Sequence, residues 1–329
     1  MRHLSLVLLV FIVTTLSLAQ SQLTPTPAPS KTPTPEPILN PEVTEEPEND
    51  ITTQINQPYT QADLNVLVGN VQRPNGMVWH NDMLYTMCNG DWTVYEIAAR
   101  TGDTRTYIYG VRNGHTLFAE DISETSINLW IPDFDTNSLM VINQQRAPQA
   151  IASNLQGPWG IAYLDEEQFL VTNLTGNNVV TISRGGEVRE VVSQMRSPAG
   201  IVIDDDFVYI ANNGSARRSI EWIAKDEINN GENPSPQPLA TGLQNTTGLA
   251  MGADGYLYFT YALGTRGVVG RLDPEECREN GGCSNDQIEI VLYTELAAPL
   301  AGLTLSPDMR LFVHTIFRPE IYWLQLSTE

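Results

Sequence analysis

The sequence predicts an all-β fold, a six-bladed β-propeller whose last blade is closed by an N-terminal strand. Three observations predict it: a segment that recurs along the chain, short apolar strands separated by polar turns, and a near absence of helical periodicity. Each copy of the segment has a glycine, a short apolar strand, a polar turn and a second strand. A unit of this size cannot bury its faces alone, whereas a closed ring lets each blade cover the next.

Five copies of the segment are clear from their glycines. These glycines lie about forty residues apart or somewhat more, except that the first interval is roughly double. The doubled interval implies a degenerate copy that has lost its glycine, and residues 123–142 fit it, with 129–131 as the second strand. The predicted number of blades is therefore six. The repeat glycines are Gly76, Gly160, Gly200, Gly248 and Gly302, and the second strands of their copies cover 83–85, 169–171, 208–210, 257–259 and 311–313.

One further strand, residues 64–68, precedes the first copy. Because a propeller has to close its ring, we predict that this strand pairs with the blade that contains residues 321–323. Cutting the chain before Gly69 is then expected to destabilise the domain strongly, whereas cutting before Thr52 is expected to be harmless. A closed ring has no exposed sheet edge that demands a partner, so we expect a monomer.

The first nineteen residues have the layout of a secretory signal peptide. Arg2 and His3 precede an apolar stretch over residues 4–16, and a Ser-Leu-Ala site follows at 17–19. The stretch is too short to span a hydrocarbon layer of about 30 Å comfortably. We therefore expect cleavage near Ala19, a secreted, extracellular or cell-surface-associated protein, and no stable membrane span after cleavage. An uncleaved membrane anchor is the alternative.

Residues 20–55 are mainly Thr, Pro and acidic residues, with little apolar surface to bury. Such a segment cannot offset its ordering entropy, so we predict a disordered linker ahead of a propeller over residues 60–329. The chain has a formal net charge of −21 and a pI near 4.4. Nucleic acid is not expected as a partner, because affinity for phosphates relies on Lys and Arg.

Cys277 and Cys283 lie in a polar, glycine-containing loop with no histidine or further cysteine nearby. In an oxidising compartment this pair is predicted to form a local disulfide, since a zinc site would require more soft ligands. Cys88 is left over within the apolar run 84–88, and we predict that it is a buried apolar side chain.

The blade signature resembles that of a known superfamily. Copies read Pro-x-Gly-Ile-Ala or a close variant, then a turn, then a strand of the Leu-Tyr-Val kind that ends in Asn or Asp, as in 158–173 and 198–212. Over residues 64–326 the chain resembles the NHL-repeat and gluconolactonase-like (senescence-marker-protein type) six-bladed propellers. Members include lactone hydrolases with a divalent metal in the central channel, a lyase that inactivates streptogramins, and pure binding scaffolds. The resemblance implies the fold, which chooses no function by itself.

The gluconolactonase branch implies a metal site that this chain matches in part. That branch places a metal-ligating glutamate ahead of Gly-Pro, where this chain has Gln156. It also has Asn-Gly at the start of an inner strand, which Asn75 and Gly76 match. Glutamine offers an oxygen but no charge for a hard cation such as Ca²⁺. A divalent cation in the central channel is therefore a hypothesis, and no cofactor is firmly predicted.

Further candidate oxygen ligands, beside Asn75, close the second strands: Asp133, Asn173 and Asn212. The alternative is structural, because Asp and Asn at strand ends bond nearby backbone amides. Repeated blades are expected to repeat their turn chemistry, which favours the structural interpretation.

Two side chains are candidates for catalysis. His314, followed by Glu320, is a candidate pair of base and orienting acid for a lyase-like site, and the alternative is a strand-end histidine with a partner on another loop.

Trp159, beside a repeat glycine, is a candidate for stacking on a sugar or another flat ligand, with Asn75 as a second contact. Core packing that plugs the channel is the alternative for Trp159.

No nucleophile elbow, zinc-binding helix or phosphate loop is present in the sequence. The leading hypothesis is therefore a secreted propeller that binds a small molecule, a glycan or a protein. The rival hypothesis is an enzyme of the central channel, either a metal-dependent hydrolase of lactones or esters or a streptogramin-lyase-like enzyme. The metal-dependent rival requires several oxygens that converge on one point.

Overall fold

The computed structural model describes residues 51–327, which form six four-stranded antiparallel sheets. The predictions of an all-β fold and of a six-bladed propeller are confirmed. Blade 1 contains β2 (Pro74–His80), β3 (Met83–Cys88), β4 (Thr93–Ala98) and β5 (Thr104–Tyr109). Blade 2 contains β6 (Phe118–Ser123), β7 (Ser126–Asp133), β8 (Ser138–Ile142) and β9 (Pro148–Ala152). Blade 3 contains β10 (Pro158–Tyr163), β11 (Gln168–Asn173), β12 (Asn178–Ser183) and β13 (Val188–Val192). Blade 4 contains β14 (Pro198–Ile203), β15 (Phe207–Asn212), β16 (Ile220–Ala224) and β17 (Gln237–Ala240). Blade 5 contains β18 (Leu249–Met251), β19 (Leu257–Leu263), β20 (Arg266–Leu272) and β21 (Glu289–Ala297). Blade 6 contains β22 (Leu300–Leu305), β23 (Arg310–Thr315), β24 (Ile321–Gln325) and β1 (Asn65–Val68).

Between residues 51 and 327, helical structure is confined to short segments. The helices α1 (Lys225–Asn229) and α2 (Pro274–Glu279) lie ahead of the outer strands of blades 4 and 5, and 3₁₀ turns cover Gln61–Asp63, Ala216–Arg218 and Asn285–Gln287. Within residues 51–327, no helix has the length and apolar character that crossing a membrane requires. The predicted signal peptide over 1–19 and the predicted linker up to residue 50 lie outside the described residues.

The blades form a closed ring. The first strand of each blade contacts the first strands of both neighbouring blades, so these six strands surround the centre of the ring. The buried apolar side chains form six clusters, and each cluster lies between two adjacent blades. Between blades 3 and 4, for example, Leu170 and Val179 share a cluster with Val208 and Ile210. Since burying one such side chain stabilises by about 1.5–3 kcal/mol, ring closure is what holds each blade in place.

The repeat glycines are required where neighbouring inner strands approach closely. A Cβ at Gly160 would overlap the main-chain carbonyl oxygen of Ala199 in the next blade. The degenerate blade meets this constraint differently, because Thr116 holds the place of the glycine there. Its hydroxyl donates to the carbonyl oxygen of Trp159 at 2.8 Å, so an overlap is replaced by a hydrogen bond.

The N-terminal strand closes blade 6, as the sequence predicts. β1 pairs antiparallel with β24, with Asn65 opposite Trp323. The residues before β1 also pack on the ring, since Tyr59 forms a parallel bridge with Leu292 in the outer strand of blade 5. Ile55 packs against the apolar cluster between blades 5 and 6. Contacts with the propeller therefore begin ahead of β1.

The cysteines adopt the predicted states. Cys277 in α2 and Cys283 form a disulfide across six residues of chain. Cys88 is a free, fully buried thiol at the end of β3. Burial raises the pKa of the Cys88 thiol to about 12, which keeps it protonated and unreactive at neutral pH.

The propeller has two faces with different loops. One face, here called the mouth face, holds the loops between second and third strands and the connections from each blade to the next. The opposite face holds the turns between first and second strands and between third and fourth strands. All predicted ligand-binding and metal-binding candidates, from Asn75 to Asn212, lie at the mouth face.

Candidate binding site at the channel mouth

Six residues occupy equivalent positions at the mouth, each just before the repeat glycine of its inner strand or the residue that replaces it. In blade 3 this residue is Trp159, next to Pro158, which pairs with Asn173. In blade 2 the same pairing is made by Gly114 and Asp133, so the equivalent residue is His115. The set consists of Asn75, His115, Trp159, Ala199, Thr247 and Ala301.

An aromatic cluster stands at two of these positions, and His115, Phe134 and Trp159 are called the mouth cluster here. The rings of His115 and Trp159 are stacked, with centroids 3.3 Å apart and planes at 7°. Phe134, from the loop after β7, meets both rings edge-on, at 5.7 Å from His115 and 5.9 Å from Trp159. All three residues are partly exposed, so the cluster is in contact with solvent at the mouth.

His115 is neutral within this cluster. Burial lowers the pKa of the His115 imidazole to about 3, so the ring carries no charge at physiological pH. A neutral imidazole stacks on indole as another flat ring and does not act as a cation. The mouth cluster therefore presents apolar faces with a polar ring edge, which is suited to the apolar face of a sugar or to another flat molecule.

A chain of hydrogen-bonded polar side chains lies beside the cluster. Asn75 Nδ2 donates to Asn113 Oδ1 at 2.6 Å, and Asn113 Nδ2 donates to Asp135 Oδ1 at 2.9 Å. The main-chain amide of Phe134 also donates to the carbonyl oxygen of Asn113. These bonds fix the loop that carries His115 against the loop that carries Phe134, so the cluster has a defined shape.

The strand-end Asp and Asn residues bind main-chain amides of their own blades. Asp133 accepts from the amide of Arg112 at 2.9 Å and from that of Asp135 at 3.1 Å. Asn173 accepts from the amide of Gln156, and Asn212 accepts from the loop before β14 in the same way. This is the turn chemistry that the structural interpretation predicts.

The side-chain oxygens of Asp133, Asn173 and Asn212 all accept from main-chain amides. Gln156 has an exposed side chain. Within residues 51–327, no group of three His, Cys, Asp or Glu side chains is placed to hold a metal. The hypothesis that Asn75, Asp133, Asn173 and Asn212 are metal ligands stays a prediction without geometric support.

His314 lies inside blade 6, and Glu320 lies in the loop between β23 and β24, partly buried. His314 is fully buried under Gly302, and neither of its ring nitrogens has a hydrogen-bond partner among the described residues. Glu320 Oε2 is likewise buried without a partner there. No hydrogen bond joins the two side chains within residues 51–327, so the base-and-orienter arrangement stays a prediction.

Acid is expected to destabilise the propeller through His314. Burial lowers the pKa of His314 to about 4, whereas an unfolded histidine titrates near 6.5. The unfolded state therefore takes up the proton first, and stability is full above pH 6.5 and falls as the pH drops towards 4. By pH 4.5 this one group is expected to cost about 2–3 kcal/mol.

Urea unfolding at pH 7 and pH 4.5 measures this cost. His314→Met places an apolar side chain of similar size there and removes the titrating ring. The stability of this variant should therefore fall less between the two pH values. Equal losses in the variant and the parent chain would show that His314 is not responsible.

The comparisons with known proteins rest on structure, because no family model and no curated protein matches the chain. It is similar to a gluconolactonase from Xanthomonas campestris, at 13% identity and a TM-score of 0.62, over 86% of this chain and 99% of that one. It is also similar to a streptogramin B lyase, at 15% identity and a TM-score of 0.56, over 80% and 97% of the two chains. The chain shares their six-bladed propeller fold.

This propeller is similar to a binding protein as well. A nidogen/laminin complex contains a chain that matches at 13% identity with a TM-score of 0.51, over 68% of this chain and 85% of that one. The fold resemblance recognised in the sequence is thus borne out. At such identities the likeness establishes architecture only, and the propeller's function has to come from its own residues.

Proposed function

We propose that the chain is a secreted propeller that binds a glycan at the mouth cluster. One observation carries the proposal: Trp159 lies stacked on His115, partly exposed, at the channel mouth. Tryptophan faces are favourable platforms for apolar sugar faces, and the rigid stack lowers the ordering cost of binding. The Asn113 and Asp135 side chains beside the cluster supply polar partners for hydroxyl groups, and the buried Asn75 holds Asn113 in place.

Secretion is supported by the signal-peptide layout and by a disulfide that oxidising compartments allow. A monomer suits a closed ring. The mass of the protein recovered from culture medium tests cleavage near Ala19, since an intact N-terminus would contradict it.

Replacing Trp159 by alanine is expected to weaken glycan binding about 10- to 100-fold, the range typical of a central aromatic contact. A glycan array finds the ligand, and titration of wild type and variant against the strongest hit measures the loss. The matched control is Tyr163→Ala, because Tyr163 is 37% exposed and lies at the opposite end of the same strand β10. Equal affinities of both variants would place the binding site elsewhere.

A second candidate function is a lyase or hydrolase of the central channel. It is favoured by the unpartnered polar atoms of His314 and Glu320, which are costly to bury without a role. Turnover of lactones and of streptogramins, assayed with the parent chain and with His314→Gln, separates this candidate from the binding module. Turnover that disappears in the variant would favour the enzyme, and no turnover would leave the binding module.

A further inference from the structure

The two faces of the propeller differ in charge. The loops of the mouth face contain six arginines and the acids Asp91, Asp135 and Glu320. The loops of the opposite face contain twenty Asp or Glu and five Lys or Arg. In a chain with a net charge of −21, the loops of the mouth face thus contain more arginines than acids. The mouth arginines are Arg73, Arg112, Arg196, Arg217, Arg218 and Arg318.

The mouth arginines are also available for a ligand. Arg218 is paired with Glu221, but the other five are exposed and have no carboxylate within 4.0 Å among residues 51–327. On the opposite face three of the four loop arginines are paired: Arg100 with Asp308, Arg184 with Glu120 and Arg278 with Asp204. Unpaired cations gathered on one face of an acidic protein raise the local concentration of anions there.

Exposed aromatic side chains lie among these arginines. Trp92 is 54% exposed, Tyr109 66% and Phe317 61%, and all three belong to loops or strand ends of the mouth face. The Arg112 guanidinium lies 5.5 Å from the Trp92 ring centroid. Cations interleaved with flat apolar rings suit a ligand that is itself both charged and flat-faced.

We propose that the mouth face binds an acidic polysaccharide, whose sugar faces stack on the aromatic side chains while its carboxylate or sulfate groups meet the arginines. The arginines come from loops of blades 1, 2, 4 and 6, so an extended chain can reach more of them than a small molecule can. This inference rests on the proposed glycan-binding function and names its ligand class.

The test measures binding of the full chain to four immobilised polymers: polygalacturonate, chondroitin sulfate, neutral dextran and single-stranded DNA. Binding to an acidic polysaccharide is expected to exceed binding to dextran and DNA and to weaken with added salt. The first two polymers distinguish carboxylate from sulfate recognition. The triple variant R73Q/R112Q/R318Q is expected to lose about tenfold in affinity, since each exposed ion pair contributes a modest factor.

The control variant R100Q/R146Q/K225Q removes the same charge from loops of the opposite face and is expected to stay within about twofold. Equal losses in both triple variants, or DNA binding as tight as polysaccharide binding, would overturn the inference. Dextran binding that equals acidic-polysaccharide binding and is lost in Trp159→Ala would overturn it while leaving the glycan-binding function intact. No binding to any polysaccharide or array glycan would overturn both.

Discussion

Removal of residues 1–68 is expected to abolish the folded propeller, whereas removal of residues 1–51 leaves it intact. The longer deletion takes away β1, the outer strand of blade 6, and leaves the backbone of β24 unpaired. It also removes Val68 and Leu67 from the cluster between blades 6 and 1. Leu64 is lost from the cluster between blades 5 and 6. A fully buried Val or Leu contributes about 1.5–3 kcal/mol and the partly buried Leu64 and Leu67 contribute less, so the lost packing and strand pairing together approach the lower end of the 5–15 kcal/mol stability of a typical domain.

Circular dichroism melts of three truncated chains measure this effect. A chain that starts at residue 59 keeps β1 but loses Ile51, Ile55 and Thr53, and it should show an intermediate loss. A cooperative melt of the chain that starts at Gly69, at the temperature of the full chain, would show that β1 is dispensable.

Most of the fold could be predicted because all blades share one sequence pattern, so a clear copy locates the strands of a less clear one. The glycines mark close approach of inner strands, and β1 was identifiable as a strand left over after the copies were counted. The degenerate blade was only half recognised. Its second strand was predicted correctly, but its inner strand β6 and the preceding residues 114–117 were missed, because Thr116 replaces the glycine that marks the register.

The binding site was predictable only in part for the same reason. Trp159 was visible beside its glycine, but His115 was not placed at the equivalent position because its copy was begun at residue 123. Counting back from Asp133 over the interval that separates Asn173 from Pro158 leads to Phe118, whereas the observed partner of Asp133 is Gly114, so the count misses His115. The stacking of two rings 44 residues apart depends on how adjacent blades meet, which no local pattern encodes.

The buried charge of Arg271 and its partners could not be predicted from the sequence either. Arg271 is at the end of β20, where the strand pattern gives no sign of a partner, and its contacts come from three separate parts of the chain. Only the folded ring brings the residues before β1 onto blade 5.

Replacement of Arg271 by alanine is expected to destabilise the propeller by about 3–5 kcal/mol, the cost of leaving a buried charge without its partner. Its side chain is 4% exposed and pairs with Asp254, whose side chain is 0% exposed, at 3.1 Å. It also donates to Glu289 at 2.7 Å and to the carbonyl oxygen of Thr53 at 2.9 Å. Without the guanidinium, the Asp254 carboxylate keeps only the Tyr258 hydroxyl and a long main-chain bond.

Urea unfolding at neutral pH measures the loss, with Arg100→Ala as the matched control. Arg100 pairs with Asp82 and Asp308 at the surface, where all three side chains are about half exposed, so its removal should cost no more than about 1 kcal/mol. Adding Asp254→Asn to Arg271→Ala should restore part of the stability, because a neutral amide is less costly to bury unpaired than a carboxylate. If Arg271→Ala costs no more than Arg100→Ala, the buried pair adds nothing to the attachment of residues 51–63, and apolar packing alone holds that segment on blade 5.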